Sequence, residues 1–214
     1  ELNDPWPQVL ELLCPQRSLR PVQVAALRDH NILETNQNLI VSAPTNSGKS
    51  LVGWLVLFDT MAKGKRAILL EPLRALARQM ADELETLLPQ LDLILGKRSN
   101  LKISTGDYRI EDELPFSPPP GGELLVATPE RLEALLRNPA NARWFETVGA
   151  VCVDEAHLIS SPKRGPTLEY LLTSLRCFPV PPRLALLSAT LGNADKAQRW
   201  LSPCSVVSVS ERQP

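Results

Sequence analysis

The chain has 214 residues, 43% of them hydrophobic and 22% charged, with a formal net charge of −1. That balance is ordinary for a globular protein and excludes a strongly basic polyelectrolyte, so any nucleic-acid contact must be a local patch. The four cysteines (Cys14, Cys152, Cys177, Cys204) form no CxxC pair and there are only two histidines, which argues against a zinc site; the longest apolar run, 51–58, is too short for a bilayer.

The first residues are acidic and proline-containing, unlike a signal peptide, and Cys152 inside an apolar run reads as a small core residue. Reduced thiols and the lack of a membrane span fit an intracellular protein, cytoplasmic or nuclear according to its source. The chain lacks an initial Met and stops just after a strand-like run, so it is expected to be a segment of a longer protein.

Strand-like runs recur at 38–43, 67–71, 101–105, 123–128, 149–154, 183–188 and 205–209. Most are continuously apolar, the pattern of strands buried on both faces of a parallel sheet. The segment after the first strand, 51–58, is apolar almost all round and should form a centrally buried helix. After the second strand, Leu73, Leu76, Ala77, Met80, Leu84 and Leu87 fall on one helical face. Before the sixth, Leu168, Leu171, Leu172 and Leu175 do the same. The proline-rich stretch 114–122 is expected to be an exposed polyproline-like loop. Alternating strands and helices imply a doubly wound α/β domain without an internal repeat.

Between the first strand and its helix lies Ala43-Pro44-Thr45-Asn46-Ser47-Gly48-Lys49-Ser50, a phosphate-loop pattern with Ala43 at the first glycine position. Backbone N–H groups from Thr45 through Asn46, Ser47 and Gly48 to Lys49 would curl around phosphates, at the positive end of the helix that follows. Lys49 would meet the β- and γ-phosphates of ATP, and the Ser50 hydroxyl would take Mg²⁺. The fifth strand runs into Asp154-Glu155-Ala156-His157. Asp154, at the carboxyl end of a buried strand, is placed to hold Mg²⁺, and Glu155 to deprotonate the attacking water. His157 fits a buried, hydrogen-bonded histidine as well as it fits a functional one.

Helix starts offer further anion sites. Thr128 can cap a helix whose first residue is Pro129, with Arg131 in its first turn; Pro72 and Arg74 open another helix; Thr105 and Gly106 follow a strand. Such groups grip a sugar-phosphate backbone without reading sequence. Without further context, Thr128 and Pro129 simply begin a helix.

Together these segments resemble superfamily 2 helicases. Residues 43–50, Asp154-Glu155-Ala156-His157 and Ser188-Ala189-Thr190 look like motifs I, II and III; Glu71-Pro72-Leu73-Arg74-Ala75-Leu76 resembles motif Ia; Thr105-Gly106-Asp107 and Ala127-Thr128-Pro129-Glu130-Arg131 resemble the later nucleic-acid-contacting motifs. The stretch 154–172, with Arg164-Gly165-Pro166-Thr167-Leu168-Glu169, is similar to the DEAH-motif branch holding archaeal-type DNA repair helicases and exosome-associated RNA helicases. The resemblance implies a single RecA-like P-loop NTPase domain over 1–214, with an N-terminal extension over 1–36, a sheet core over 37–209 of about seven mostly parallel strands, and helices on both faces. It implies adenine recognition by Gln23, a residue that on a helix is otherwise most often solvated. It also implies coupling of the ATP pocket to strand separation through His157, Ser188 and Thr190. The expected partners are single-stranded or partly duplex DNA or RNA and a second RecA-like domain in cis, for which no segment after Thr190 is long enough. A translocase that does not separate strands, or a nucleotide-gated nucleic-acid-binding module, are the alternatives.

Overall fold

The computed structural model describes residues 2–15, 18–105, 118–190 and 194–209. Seven strands are present among them: β1 (Asn38–Ser42), β2 (Arg66–Leu70), β3 (Asn100–Ser104), β4 (Glu123–Ala127), β5 (Val148–Val153), β6 (Arg183–Ser188) and β7 (Cys204–Ser208). Each lies within one residue of its expected run. They form one sheet in the order β3-β4-β2-β5-β6-β1-β7, and every neighbouring pair is parallel. All carboxyl ends therefore emerge along one edge.

Successive side chains of a strand point to opposite faces, so continuous apolar strands feed two cores. Leu39, Val41, Ala67, Leu69, Leu124, Val126, Ala150 and Cys152 enter one. Ile40, Ile68, Leu70, Leu125, Ala127, Val151, Val153 and Leu186 enter the other. The first is covered by α1 (Trp6–Leu13), α2 (Pro21–Val24, continued by a π-helical turn at Ala25–Asp29), α3 (Lys49–Ala62) and α4 (Arg74–Leu95). The second is covered by α5 (Pro129–Arg137), α6 (Ala142–Phe145), α7 (Gly165–Arg176) and α8 (Ala194–Leu201). Helix α3 buries Val52, Gly53 and every residue from Leu55 to Met61, as its all-round apolarity requires. The four leucines of α7 are all buried.

Two sequence expectations are corrected. The buried seam of α4 is Ala77, Ala81, Leu84, Leu88 and Leu91, whereas Leu73 is 48% exposed. Leu73 lies in extended backbone (φ −117°, ψ 135°) just before the helix, so its side chain leaves the helical period; the helix then runs through Pro89 to Leu95. The described end of the proline-rich stretch is not extended polyproline. Gly122 N donates to the Pro119 carbonyl at 2.8 Å, and the turn buries Gly121 and Gly122 against Arg98, Lys65 and Met61. Residues 114–117 of that stretch lie outside the described residues.

The amino edge of the sheet carries a buried polar cluster. Arg66 Nε donates to Glu123 Oε1 at 2.9 Å, Trp144 Nε1 donates to the same oxygen at 2.9 Å, and Lys102 Nζ lies 3.1 Å from Oε2. The guanidinium also stacks 5.1 Å from the Trp144 ring centroid and bonds the Thr147 hydroxyl. Burial alone would raise the Glu123 carboxyl, but hydrogen bonds and charge from Arg66 and Lys102, with Trp144, hold it below its ordinary value. A depressed acid contributes stability above its unfolded pKa of about 4.3, and that contribution is lost as pH falls through the lower folded value. Glu123→Gln should cost about 3–5 kcal/mol, because it leaves the Arg66 charge buried without its counter-ion. Urea unfolding of the two proteins at neutral pH measures this, and a difference below about 1 kcal/mol would remove the pair from the account of stability.

Candidate nucleotide and nucleic-acid site

The phosphate loop joins β1 to α3. Ser47 N donates to the Pro44 carbonyl at 3.2 Å, Asn46 and Gly48 take positive φ (63° and 87°), and α3 begins at Lys49. Gly48 has a steric reason too: a Cβ there would sit 2.3 Å from Gln23 Nε2. Thr45, Asn46 and Ser50 are exposed, whereas the Lys49 side chain is buried at 6% exposure. The Ser47 hydroxyl is buried and has no hydrogen-bond partner. An unsatisfied hydroxyl among loop N–H groups, beside a buried cation at a helix start, is a donor set that suits phosphate oxygens.

The Asp-Glu pair leaves β5 two strands away. Asp154 N donates to the Leu70 carbonyl at 3.0 Å, which aligns the turn with the end of β2. The Asp154 carboxylate accepts from Glu155 N at 2.8 Å, and Glu155 sits in the left-handed region (φ 50°, ψ 42°), an uncommon conformation for a residue with a side chain. Such backbone costs about 1–3 kcal/mol and is typical of functional turns. Burial raises the Asp154 carboxyl, as does the Glu155 charge, while the Glu155 amide, Lys49 and His157 pull it down. The strand order brings the two halves of the site to one edge with a single strand between them. Between them lies β6, whose Ser188 carbonyl accepts from Ala43 N at 3.1 Å.

His157 Nδ1 lies 3.1 Å from Glu155 Oε2, an ion-pair distance but with an angle that makes no hydrogen bond. The Ser188 hydroxyl donates to the Thr190 carbonyl at 2.9 Å and accepts from Thr190 N at 3.2 Å. Ser188 is buried and Thr190 exposed; among the described residues no hydrogen bond joins either one to His157. The Gln23 carboxamide accepts from Arg20 N at 2.8 Å and donates to the Gly48 carbonyl at 3.1 Å, so it is latched onto the loop.

The helix-start residues gather on the other half of the same edge. Thr105 follows β3, Thr128-Pro129 follows β4 and Pro72 follows β2. Thr105 (2%) and Thr128 (4%) are buried, as is Pro72, so the side chains they offer an incoming strand are those of Arg74 and Arg131. The Thr128 hydroxyl makes no cap bond, contrary to expectation; its carbonyl instead accepts from Arg131 N and Leu132 N, and Pro129 pre-sets the first turn. Arg131 Nε makes a long 3.5 Å contact to Ser104 Oγ. Gly106 lies outside the described residues.

The carboxyl edge thus reads, strand by strand, as the end of β3 and two helix starts (after β4 and β2) suited to backbone phosphate, and then three elements suited to a nucleotide (β5, β6, β1). The all-parallel sheet with helices on both faces is the architecture of a RecA-like P-loop domain. A family profile described as "DEAD/DEAH box helicase" matches residues 20–197, and the chain belongs to that family. It is 37% identical over 192 residues to the "ATP-dependent DNA helicase Hel308" of Methanocella arvoryzae, covering 89% of this chain and 24% of the relative. The proteins of the same description from Methanocaldococcus jannaschii (36% over 190 residues) and Thermococcus kodakarensis (37% over 191) are covered over 15% of their lengths. The chain spans a quarter or less of the curated relatives it matches. No helix among its described residues is long and apolar enough to cross a membrane.

Sequence reasoning passed over Glu71. It is buried (3% exposed) at the end of β2, and its backbone N donates to the Ala127 carbonyl at 2.9 Å. Burial, then the Asp154 and Glu155 charges, push its carboxyl from 4.5 to about 8. Only the β2–β5 adjacency reveals this third carboxyl, because those strands are some eighty residues apart in sequence. With its pKa raised in the folded state, Glu71 holds a proton that the unfolded chain has released, so stability should fall as pH rises from 4.5 to about 8. Glu71→Gln should flatten the melting-temperature profile across that window; superimposable slopes for the two proteins would clear Glu71 as the source.

Proposed function

We propose that this domain binds ATP with Mg²⁺ and couples its hydrolysis to movement along, and separation of, nucleic-acid strands. The observation that carries the reading is the placement of the phosphate loop and the Asp154–Glu155 turn on one sheet edge, with only β6 between them and the Pro72 and Thr128 helix starts farther along the same edge. The relatives' description as ATP-dependent DNA helicases favours DNA over RNA.

Each side chain then has a role. Thr45, Asn46, Ser47 and Gly48 cradle phosphate through backbone N–H groups, and Lys49 neutralises the β- and γ-phosphates. Ser50 and Asp154 would hold Mg²⁺, with phosphate oxygens and waters completing its shell. When bound, the ion supplies charge neutralisation at the phosphates. Glu155 accepts the proton of the attacking water. Gln23 reads the adenine edge by exchanging one of its two present bonds. His157, Ser188 and Thr190 would couple the nucleotide pocket to strand separation. Arg74 and Arg131, with the backbone at Pro72, Thr105, Gly106, Thr128 and Pro129, grip the sugar-phosphate chain.

A second RecA-like domain in cis would close the nucleotide cleft and contribute arginines worth about 10³–10⁵ in rate. The 1–214 chain alone should therefore hydrolyse ATP slowly and displace no strand; robust unwinding by it would refute the two-domain account. In the whole protein, Glu155→Gln should keep nucleotide affinity while turnover drops about 10²–10⁴-fold, as loss of a general base requires. Steady-state ATPase and fluorescent-nucleotide binding measure the two arms, and undiminished turnover would take Glu155 out of the mechanism.

A further inference from the structure

The two halves of the carboxyl edge meet at one seam, β2 against β5. Arg164 crosses that seam. Its Nη1 donates to the Pro72 carbonyl at 2.9 Å, in the connection that leads from β2 to Arg74 and α4. The other end of Arg164 is fixed to the Asp-Glu segment. Arg164 is the residue before α7, whose first residue, Gly165, presses on the turn Ala156–Ser160 that holds His157. A Cβ on Gly165 would lie 2.2 Å from the Ile159 carbonyl oxygen, and Gly165 N donates to the Ser161 carbonyl at 2.8 Å. No residue but glycine allows that approach. Around the guanidinium, a small cavity is lined by Pro72, Pro129, Asp154, Glu155 and Leu158. Pro72 and Pro129 of the phosphate-suited half and Asp154 and Glu155 of the nucleotide half therefore line one small cavity together with Arg164.

We propose that Arg164 is a positioning residue that transmits the state of the Asp154–Glu155 turn to the Pro72–Arg74 helix start, so that nucleic acid bound there and nucleotide bound at the loop sense each other. The inference rests on the function proposed above. A displacement of the Asp-Glu turn, when the γ-phosphate is cleaved, moves the welded Gly165 backbone, and the guanidinium carries that movement to the Pro72 carbonyl through a hydrogen bond from a charged donor. The coupling is reciprocal, so a strand on Arg74 must also favour the hydrolytic arrangement of Glu155.

The test uses the whole protein, with ATPase measured with and without an oligothymidylate and with melting temperatures recorded in parallel. Arg164→Met should leave the unstimulated rate within about twofold and lower the stimulation by about 5–150-fold, the range of ordinary allosteric coupling. Arg164→Lys should restore part of it, because an ammonium offers the Pro72 carbonyl one donor. Stimulation unchanged in Arg164→Met, or basal and stimulated rates falling in equal proportion with the melting temperature, would overturn the proposal and leave Arg164 a scaffold residue. A wild-type protein that oligothymidylate does not stimulate would instead sink the helicase reading, and the coupling with it.

Discussion

Everything at this site depends on the sheet being parallel. Parallel neighbours send their carboxyl ends to one edge, where backbone N–H groups of the following helices are unpaired and accessible. The Asp154 N to Leu70 O bond at 3.0 Å and the Ala43 N to Ser188 O bond at 3.1 Å extend the ladder one residue past the strands. They hold the Asp-Glu turn and the phosphate loop at a common height. Reversing any one of β5, β6 or β1 would move a nucleotide element to the far edge.

The two edges are treated in opposite ways. At the amino edge, Glu123 has a satisfied shell of Arg66, Lys102 and Trp144, and its carboxyl is depressed. At the carboxyl edge, Glu71, Asp154 and Glu155 crowd together with Lys49 as the cation acting on Asp154; the Glu71 and Asp154 carboxyls are raised, and Ser47 Oγ is orphaned. Unsatisfied groups and like charges cost stability unless a ligand completes them. The edge that is electrostatically incomplete is the one where a magnesium-bound triphosphate is proposed to sit. The left-handed Glu155 belongs with this, since backbone strain collects where function needs a particular geometry.

The residues proposed to hold nucleotide and nucleic acid share that one edge. Three strands carry one set of groups and three carry the other, so a single strand boundary separates them. A short path through Gly165 and Arg164 to Pro72 crosses that boundary. Glu71, at the end of β2, feels the Asp154 and Glu155 charges across it. Coupling across so few packed groups needs no long relay.

Much of this was legible in the residue string. Continuous apolar runs located all seven strands to within a residue, and the loop Gly48-Lys49-Ser50 and the pair Asp154-Glu155 stand out because each pattern is local to one strand end. The α4 face was misjudged at Leu73 because helical periodicity says nothing about where a helix begins, and the Thr128 hydroxyl makes no cap where the Arg131 N–H bonds the Thr128 carbonyl instead. Strand order was beyond reach: hydrophobic patterns say that a strand is buried but not beside which strand it lies. Glu71 and Arg164 acquire meaning only from that order, since the β2–β5 contact brings together groups separated by some eighty or ninety positions. Local chemistry was written in the sequence; which chemistries touch was decided by long-range pairing, the one quantity that spacing along a chain does not encode.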